Sequence, residues 1–505
     1  MIVLIGCLQV HAASSKKTSP AARWVSVVQW TDLVVRKVTV EKPVSTILLV
    51  ARIQERNSLV HIILKSHLLV RGGFFYYFCY MTIEQLYLLY KQYPSVQTDT
   101  RKLKAGDIFF ALKGPSFNGN TFAQQALEAG AAYAVVDEKE FASGNKTILV
   151  DDVLSTLQQL AKYHRQQFTI PFIAITGSNG KTTTKELVYA VLSSTYKTYA
   201  TQGNLNNHIG IPITILSVGP DAEMAIIEMG ANHQKEIEGY CTYTLPTHGV
   251  ITNCGKAHLE GFGGVEGVRK GKGELFDYLR NNNGTAFAMW DYEYLQSMSR
   301  GIKQVIPYGT KEADIIGKVL ESEPFLQVVI QKGALINKIS TQLVGDYNLP
   351  NVLVAVSIGK YFHISDDKIK AAIEAYTPSN SRSQLITEGD NHIILDAYNA
   401  NPSSMKVAIE NFAKTHYSNK VLMLGAMAEL GTESITEHQD IIELIRKYDW
   451  KEVVLVGGDF QKIKHPFTGF RNATEAADWF RQKKFTNTAI LIKGSRSMQM
   501  EMVLA

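Results

Sequence analysis

A glycine-rich stretch followed at once by lysine and threonine occupies residues 176–183, which read TGSNGKTT. The apolar run FIAI precedes it and a helical pattern follows it. Glycines let the backbone curl so that successive N–H groups point inward, and a helix N-terminus adds a partial positive charge. A tight turn without a ligand is the alternative, but it would not call for the lysine and the threonines. The stretch therefore predicts a phosphate-binding loop.

The residues of this loop have separate expected roles. Lys181 would reach the β- and γ-phosphates of a nucleotide, and the Thr182 hydroxyl would face a magnesium ion. The common form of the motif has a glycine where this chain has Ile175, so the match is to a shorter pattern, G-x-x-G-K-T-T. The residues expected to contact the nucleotide are Gly177, Ser178, Asn179, Gly180, Lys181, Thr182 and Thr183.

Acidic and histidine side chains follow two further apolar runs. Glu228, in AIIEMGANH, comes after a predicted strand, and a carboxylate suits a hard cation such as Mg²⁺. His258 and Glu260, in ITNCGKAHLEGFGG, follow another strand. Ligands bind at strand ends of open α/β sheets, although a single histidine there more often has a structural role. Lys272, in RKGKGELFDYL, is by its spacing alone a solvated lysine on a helix.

These residues lie on a chain in which short apolar strands alternate with helical patterns. The predicted strands are DIFFAL, YAVVD, FIAIT, MAIIEM, HGVITN, HIILDAY, KVLMLGA, EVVLVGG and TAILIKG, and the predicted helices include TFAQQALEAGA and SSMKVAIENFAK. Such alternation predicts parallel sheets covered on both faces. We expect three α/β domains, at residues 81–168, 169–378 and 379–505, with substrates held in the clefts between them. The polar stretch TPSNSRSQ is the expected hinge before the third domain.

Composition narrows the class of protein. The 505 residues are 45% hydrophobic and 20% charged, which is typical of a soluble globular protein, and no apolar run is long enough to predict a membrane span. The four cysteines, Cys7, Cys79, Cys241 and Cys254, are scattered without metal-ligand spacing. They favour a reducing, cytoplasmic location.

The basic excess belongs to residues 1–80. This stretch carries ten Lys and Arg against three Asp and Glu, while the remainder carries 42 against 44. The sequence has no basic patch with interleaved aromatic residues, so it does not predict nucleic-acid binding. The start, MIVLIGC, faintly resembles a lipoprotein signal but lacks a basic n-region. We expect residues 1–80 to be a poorly ordered extension, or to lie upstream of a true start at Met81.

Segments spread over residues 81–505 resemble the Mur ligase family, the ATP-dependent amide-forming enzymes of peptidoglycan synthesis. They are DTRKLKAGDIFFALKGPSFNGNTF, TGSNGKTT, GNLNNHIGIP, EMGANH, TNCGKAHLEGFG, LDAYNANPSSM and KGSRSMQME. The short phosphate loop is also similar to that of the related folylpolyglutamate synthases. The resemblance implies three α/β domains, with a P-loop ATPase-like parallel sheet in the central domain and a Rossmann-like C-terminal domain.

Within the family, the segments are similar to the ligases that join D-alanyl-D-alanine to UDP-N-acetylmuramoyl-tripeptide (UDP-MurNAc-tripeptide). The diaminopimelate-adding ligases carry a D-N-P-R motif, which is absent here, and folylpolyglutamate synthases would not explain DTRKLKAGDIFFALKG. The resemblance implies a cytoplasmic monomer that uses ATP and two Mg²⁺ ions and forms an acyl phosphate.

The resemblance also implies roles for single residues. Thr100, Arg101 and Asn118 would hold the UDP-sugar, while Asn204, Asn207 and His208 would line the central active site, with Lys181, Lys272, His208 and Asn204 catalytic. The metal ligands would be Thr182, Glu228, His258 and Lys272, the last as a carbamate.

Further roles fall on the third domain. Arg382 would reach the ATP phosphates; Asp396, Tyr398 and Asn399 would meet the ribose and adenine; and Lys493, Ser495 and Arg496 would bind the dipeptide. A strand end with a helix cap would equally explain the Asp396 segment, and a simple turn the Lys493 segment. Met289 and Ala426 depart from the family, which commonly has asparagine and aspartate at these positions.

Three alternatives remain open on the sequence. One is another Mur-type or folylpolyglutamate-type amide ligase that uses a different amino acid. Another is a P-loop nucleotide switch, although this sequence has no recognisable arginine finger. A third is a nucleotide-binding scaffold without activity, which the retention of Lys181, Thr182, Glu228 and His258 disfavours.

Overall fold

The structure is a computed structural model that describes residues 46–55, 58–71, 74–79, 81–379 and 381–504. The chain divides into two compact units, residues 1–164 and 165–505. Among the described residues, no helix has the length and apolar character that crossing a bilayer requires. The signal-like start, MIVLIGC, lies outside the described residues.

The first unit begins with a three-stranded antiparallel sheet in chain order. Its strands are β1 (Thr46–Glu55), β2 (Ser58–Arg71) and β3 (Phe74–Cys79). They lie in the stretch for which the sequence analysis predicts no regular element. That residues 1–80 lie upstream of a true start at Met81 stays a prediction.

A small α/β sheet follows in the same unit, with strand order β4-β5-β8-β9 and all neighbours parallel. Its strands are β4 (Val96–Gln97), β5 (Ile108–Phe110), β8 (Tyr133–Val136) and β9 (Thr147–Leu149). A separate antiparallel hairpin is formed by β6 (Lys113–Gly114) and β7 (Phe117–Asn118). The helices are α1 (Ile83–Gln92), α2 (Ala123–Glu128) and α3 (Val153–Arg165). Helix α2 is shorter than the predicted helix TFAQQALEAGA, since residues 119–122 form a 3₁₀ turn and Gly130 (φ +104°) lies just after its end.

The central sheet of the second unit has the strand order β11-β12-β10-β13-β14-β15-β16-β17-β18. Its strands are β10 (Phe172–Thr176), β11 (Thr198–Ala200), β12 (Met224–Glu228), β13 (His248–Ile251), β14 (Thr285–Met289), β15 (Gln304–Gly309), β16 (Ile315–Glu321), β17 (Gln327–Lys332) and β18 (Ile339–Ser340). The accompanying helices are α4 (Lys181–Ser193), α5 (Gly210–Leu216), α6 (Glu236–Thr244), α7 (Leu259–Phe262), α8 (Val265–Asn281), α9 (Glu293–Ser299), α10 (Leu349–Tyr361) and α11 (Asp366–Ala375).

Strands β10 to β16 pair in parallel, and every residue of β10 and β12 is buried. Burial on both faces explains why FIAIT and MAIIE read as unbroken apolar runs. The sheet continues with strands that the sequence analysis did not predict: β17 pairs antiparallel with β16, and β18 pairs antiparallel with β17. The loop from Glu321 to Gln327 is too short for the crossover that a parallel neighbour needs, so the chain turns back on itself.

The C-terminal sheet has the order β19-β20-β24-β21-β22-β23. Its elements are β19 (Gln384–Glu388), β20 (Asn391–Asp396), α12 (Pro402–Ala413), β21 (Lys420–Gly425), α13 (Ser434–Ile445), β22 (Glu452–Val456), β23 (Thr468–Phe470), α14 (Ala473–Lys483) and β24 (Ala489–Lys493). All neighbours are parallel except the β19–β20 hairpin. The register pairs Asp396 with Lys493, so the last residues of β20 and β24 lie side by side.

The loop between β10 and α4 depends on a glycine at its first position. Gly177 has φ +144°, and a Cβ added there would lie 2.0 Å from the Thr252 hydroxyl oxygen and 3.1 Å from the Asn253 nitrogen. The backbone of the neighbouring strand end therefore occupies the space that a side chain would need.

We predict that Gly177→Ala destabilises the protein by more than about 1 kcal/mol, because alanine is strained at this φ and collides with Thr252. The matched control is Gly239→Ala, since Gly239 lies within α6 with no atom within 4 Å of an added Cβ. That change should raise stability by about 0.5–1 kcal/mol. Thermal unfolding followed by circular dichroism measures both, and a Gly177→Ala melting temperature at or above the parental value would contradict the assignment.

Candidate active site

The phosphate loop runs from the end of β10 at Thr176 to the start of α4 at Lys181. Gly180 has φ +78°, and a Cβ there would lie 2.7 Å from the Asn351 side-chain oxygen. The N–H groups of the first helical turn have no partner within the helix. They sit beside residues 178–183, which line one cavity, so the loop offers fixed donors to an anion.

Lys181 folds back over the loop that precedes it. Its Nζ donates to the Gly177 carbonyl at 2.7 Å and to the Ser178 carbonyl at 3.1 Å. Burial lowers the pKa of Lys181 to about 8; nearby Glu228 opposes the fall and Arg382 adds to it. A bound phosphate would favour the charged lysine, so the site holds a cation that an anionic ligand stabilises.

Thr182 and Glu228, both predicted metal ligands, are in contact. The Glu228 Oε1 atom accepts from Thr182 Oγ1 at 3.2 Å and from Asn206 Nδ2 at 2.8 Å. Glu228 is buried, and its Oε2 atom has no hydrogen-bond partner among the described residues. A buried carboxylate oxygen without a donor is costly unless a cation meets it. Oxygen donors of this kind fit Mg²⁺.

His258 lines the same cavity but is already engaged. It lies in the left-handed region at φ +50°, just before α7, and its Nδ1 forms an ion pair with Glu429. In the described part of the chain, no three His, Cys, Asp or Glu side chains come together as a ready metal cluster. The structure thus joins Thr182 to Glu228, with His258 on the same cavity and held by another partner.

Lys272 is buried on α8, so the interpretation as a solvated helix lysine is wrong. Its Nζ donates to the Ala231 carbonyl at 2.9 Å and lies 4.9 Å from the centre of the Phe262 ring. Burial, with the Lys181 charge adding to it, holds the pKa of Lys272 well below its usual range. The helix turns this face inward because α7, which carries Phe262, packs against it.

The C-terminal sheet contributes a charged pair from adjacent strand ends. Lys493 Nζ lies 2.5 Å from Asp396 Oδ2, and Lys493 is only 2% exposed. The other Asp396 oxygen accepts from the Ser383 backbone N–H at 3.1 Å, and the Tyr347 hydroxyl lies 2.9 Å from the Ser383 hydroxyl. All four residues line the cavity. Asp396 is therefore oriented from both sides before any ligand arrives.

Of the remaining C-terminal candidates, some line the cavity and others do not. The Arg382 guanidinium carbon lies 3.6 Å from the centre of the Tyr398 ring, and both residues line the cavity together with Asn399. Ser495 is buried and donates to the Ala426 carbonyl at 2.6 Å, which explains why it does not reach the cavity. Arg496 is exposed and pairs with Glu501 at 2.6 Å.

The cavity that these residues share has a volume of about 640 Å³, within the range of small-molecule sites. It is lined from both the central and the C-terminal sheet. The predicted residues that line it are Ser178, Asn179, Gly180, Lys181, Thr182, Thr183, Asn207, Glu228, His258, Arg382, Asp396, Tyr398, Asn399 and Lys493. Those of the second unit that do not are Gly177, Asn204, His208, Lys272, Ser495 and Arg496.

Sequence reasoning missed several residues of this cavity. Asn206 supports Glu228 and belongs to the same NLNN run as Asn204 and Asn207, so the motif signalled the segment but not the residue. Stacked tyrosines, Tyr292 and Tyr294, follow β14 with ring centres 5.5 Å apart. Other missed residues are Asn232, Glu236, Tyr240, Asn253, Tyr347, Asn348, Asn351, Asn401, Ser403 and Ser404.

The candidates for UDP-sugar binding lie in the first unit. Thr100 begins a 3₁₀ turn, and Arg101 is exposed and pairs with Asp99 at 2.8 Å. Asn118 donates to Glu138 at 2.9 Å, and Glu138 also pairs with Lys113. The two groups of contacts are local, one around Asp99 and the other around Glu138.

Comparison with known proteins matches three family descriptions along the chain. Residues 92–165 match the Mur ligase family catalytic domain, residues 175–359 the Mur ligase middle domain, and residues 381–496 the Mur ligase glutamate ligase domain. These matches span the small α/β sheet, the central sheet and the C-terminal sheet in turn.

Two relatives of similar length have the same name. UDP-N-acetylmuramoyl-tripeptide–D-alanyl-D-alanine ligase of Bacillus subtilis is 33% identical over 81% of this chain and 92% of its own length. The ligase of the same name from Escherichia coli is 34% identical, again over 81% and 92%.

Solved structures agree on the fold. The crystal structure of MurF from Acinetobacter baumannii has a TM-score of 0.73 at 28% identity and covers 81% of this chain and 92% of its own. MurF from Thermotoga maritima, solved with ADP, has a TM-score of 0.74 at 24% identity over 81% and 96%, and supports the fold alone. Given the relatives above 30% identity and the three matched domains, the chain belongs to the Mur ligase family.

Proposed function

We propose that this chain is an ATP-dependent ligase that joins D-alanyl-D-alanine to UDP-MurNAc-tripeptide, a step of peptidoglycan precursor synthesis. The observation that carries the proposal is the single cavity that holds Lys181, Thr182 and Glu228 from the central sheet and Arg382, Asp396 and Lys493 from the C-terminal sheet. The relatives that bear this activity in their names match the chain over nine-tenths of their own length. That these residues share one cavity supports its role as the nucleotide site.

The chemistry explains why a ligase needs a nucleotide. A carboxylate does not form an amide readily, because oxide is a poor leaving group. Transfer of the γ-phosphoryl group of ATP to the tripeptide carboxylate gives an acyl phosphate and ADP. The amine of D-alanyl-D-alanine then attacks the acyl carbon, the C–N bond forms, and inorganic phosphate leaves with the former carboxylate oxygen.

The residues of the loop meet the negative charge of this reaction. Lys181 and the N–H groups of the first turn of α4 are fixed donors at the cavity, and Arg382 is a cation that lines the same cavity. Donors fixed in advance stabilise developing charge, and one such contact is worth about 10²–10³ in rate. Closure of the domains around the substrates would exclude water, which would otherwise hydrolyse the acyl phosphate.

Thr182 and Glu228 are the residues that would hold a Mg²⁺ ion, because the free oxygen of Glu228 lacks a donor. The ion would neutralise charge on the phosphates. We extend the proposal to a second ion near His258, with a carbamate on Lys272 as an oxygen ligand. The lowered pKa of Lys272 supports this, since the neutral amine is the form that reacts with carbon dioxide.

The remaining assignments complete the proposal. The UDP-sugar would bind the first unit at Thr100, Arg101 and Asn118, and the dipeptide would bind near Lys493. Asn207 lines the cavity and stays a candidate, whereas Asn204 and His208 are exposed and would need to turn inward on binding. We place the reaction in the cytoplasm, catalysed by a monomer.

Phosphate release by the full chain tests the proposed reaction. We expect release from ATP and Mg²⁺ to require UDP-MurNAc-tripeptide and D-alanyl-D-alanine together, with a pentapeptide product seen by mass spectrometry. A panel of single amino acids in place of the dipeptide separates this activity from other amide ligases. Equal turnover with a single amino acid, or phosphate release without any acceptor, would overturn the proposal.

We predict that Lys181→Ala lowers turnover by at least about 100-fold, because a cation at the transferred phosphate is lost. Lys197→Ala is the matched control, since Lys197 is an exposed lysine of the same domain, 3.7 Å from Asp221. Steady-state kinetics measures both variants, and far-ultraviolet circular dichroism checks that each is folded. Near-parental turnover in Lys181→Ala would reject the role of the loop.

We predict that Lys272→Ala is nearly inactive and is partly restored by added short-chain carboxylic acids, which would replace the carbamate oxygens. Lys270→Ala is the control on the same helix, because Lys270 is exposed. Turnover is measured with and without acetate at constant ionic strength. Full activity without the acid would show that Lys272 is not a ligand, and loss without rescue would show that its role is structural.

A further inference from the structure

A short segment after β13, residues 252–258, contacts the phosphate loop on one side. The Thr252 hydroxyl donates to the Asn179 carbonyl at 2.6 Å, and the Asn253 side chain accepts from the Asn179 backbone N–H at 3.1 Å. The Asn253 carbonyl accepts from the Ser178 N–H at 2.9 Å. The Ser178 hydroxyl donates to the Gly255 carbonyl at 3.0 Å. The position of the loop therefore depends on this segment.

The same segment contacts the C-terminal domain on its other side. The Lys256 backbone N–H donates to the Ser403 hydroxyl, at the start of α12, at 2.8 Å. The Lys256 Nζ atom lies 2.5 Å from Glu437 Oε1 on α13. Gly255 leaves room for this contact, because a Cβ there would lie 2.7 Å from the Ser403 hydroxyl oxygen.

A direct contact between the loop and the C-terminal domain lies beside the segment. Asn401, the N-cap of α12, donates its side-chain N–H to the Asn179 side-chain oxygen at 2.7 Å. One residue of the phosphate loop is thus bonded both to the segment and to the C-terminal domain. A shift of α12 would change the contacts of Asn179.

The Lys256–Glu437 pair differs from an ordinary surface ion pair. The Glu437 side chain is 7% exposed and the Lys256 side chain 45% exposed. A buried carboxylate that loses its cation keeps the cost of its desolvation, so separation of the two domains is opposed by this pair. Neither residue lines the cavity, so both act through other groups.

We propose that Lys256 and Glu437 are a positioning pair that holds the C-terminal domain against the segment supporting the phosphate loop, so that phosphoryl transfer and closure of the cavity are coupled. The inference rests on the proposed function. With the pair in place, Arg382 and Asp396 face the loop that carries Lys181. Without it, the nucleotide still binds the loop, but the groups from the C-terminal domain are less often in position.

The test compares Lys256→Met and Glu437→Gln in the full chain. We expect kcat for amide formation to fall about tenfold in each, with the KM for ATP changed less than about threefold, because the interaction lost is one that the closed, reacting state requires. The double variant should lose no more than either single one. Lys256→Arg, which keeps the charge, should recover most of kcat.

The matched control is Lys360→Met, because Lys360 pairs with Asp366 at 2.6 Å within the central domain, away from the C-terminal sheet. Small-angle X-ray scattering of the ATP-bound proteins should show a larger radius of gyration for Lys256→Met than for the parent. The radius of gyration of Lys360→Met should equal that of the parent. Glu437→Gln keeps the side-chain shape, so it remains informative if Lys256→Met does not fold.

The outcomes separate the two hypotheses. A parent protein that releases no phosphate with both substrates rejects the proposed function. An active parent with unchanged kcat in Lys256→Met and Glu437→Gln rejects the positioning pair alone. Equal losses in Lys360→Met would also reject it, because the effect would then be general destabilisation.

Discussion

A transferred phosphoryl group carries negative charge, which hydrogen-bond donors held in fixed positions must stabilise. The arrangement of the second unit around the phosphate loop depends on this requirement. The donors are backbone N–H groups at the start of α4, fixed by the helix, and the Lys181 side chain, which is held by hydrogen bonds to the Gly177 and Ser178 carbonyls before any ligand binds. Asn253 and Thr252 fix the curl of the loop from the next strand end. Gly177 and Gly180 permit that curl, because the backbone at each has a positive φ and a neighbour close to the missing Cβ.

Sheet topology then decides what surrounds the loop. Because β10 lies between β12 and β13, the ends of these strands place Glu228 on one side of the loop and Asn253 on the other. The C-terminal sheet repeats the arrangement, since the parallel register of β20 with β24 puts Asp396 beside Lys493. Lys493 and Asp396 are paired at adjacent strand ends, and Thr182 and Asn206 orient one oxygen of Glu228, so these charged groups are positioned before a ligand binds.

Burial distinguishes several sequence-based candidates from the residues that line the cavity. Lys272 reads as a surface lysine because its neighbours on the helix are charged, yet the packing of α7 against α8 encloses it. Ser495 reads as a ligand contact, but its hydroxyl is used by the Ala426 carbonyl. In the asparagine run after β11, the chain turns so that Asn206 reaches Glu228 while Asn204 is exposed. Nothing local in the sequence distinguishes these orientations.

The sequence by itself determined the strands and helices that alternate, the phosphate loop and its glycines, and membership of the Mur ligase family, because these depend on local spacing and residue type. It also indicated Glu228, Asp396 and Lys493, since residues that follow buried strands fall at a common edge. Only the tertiary structure decided which side chains share the cavity, that Lys272 is buried, that β16 to β18 are antiparallel, and that Lys256 meets Glu437 across a separation of 181 residues. Those facts depend on contacts between distant segments, and the chain acquires them only when the sheets pack.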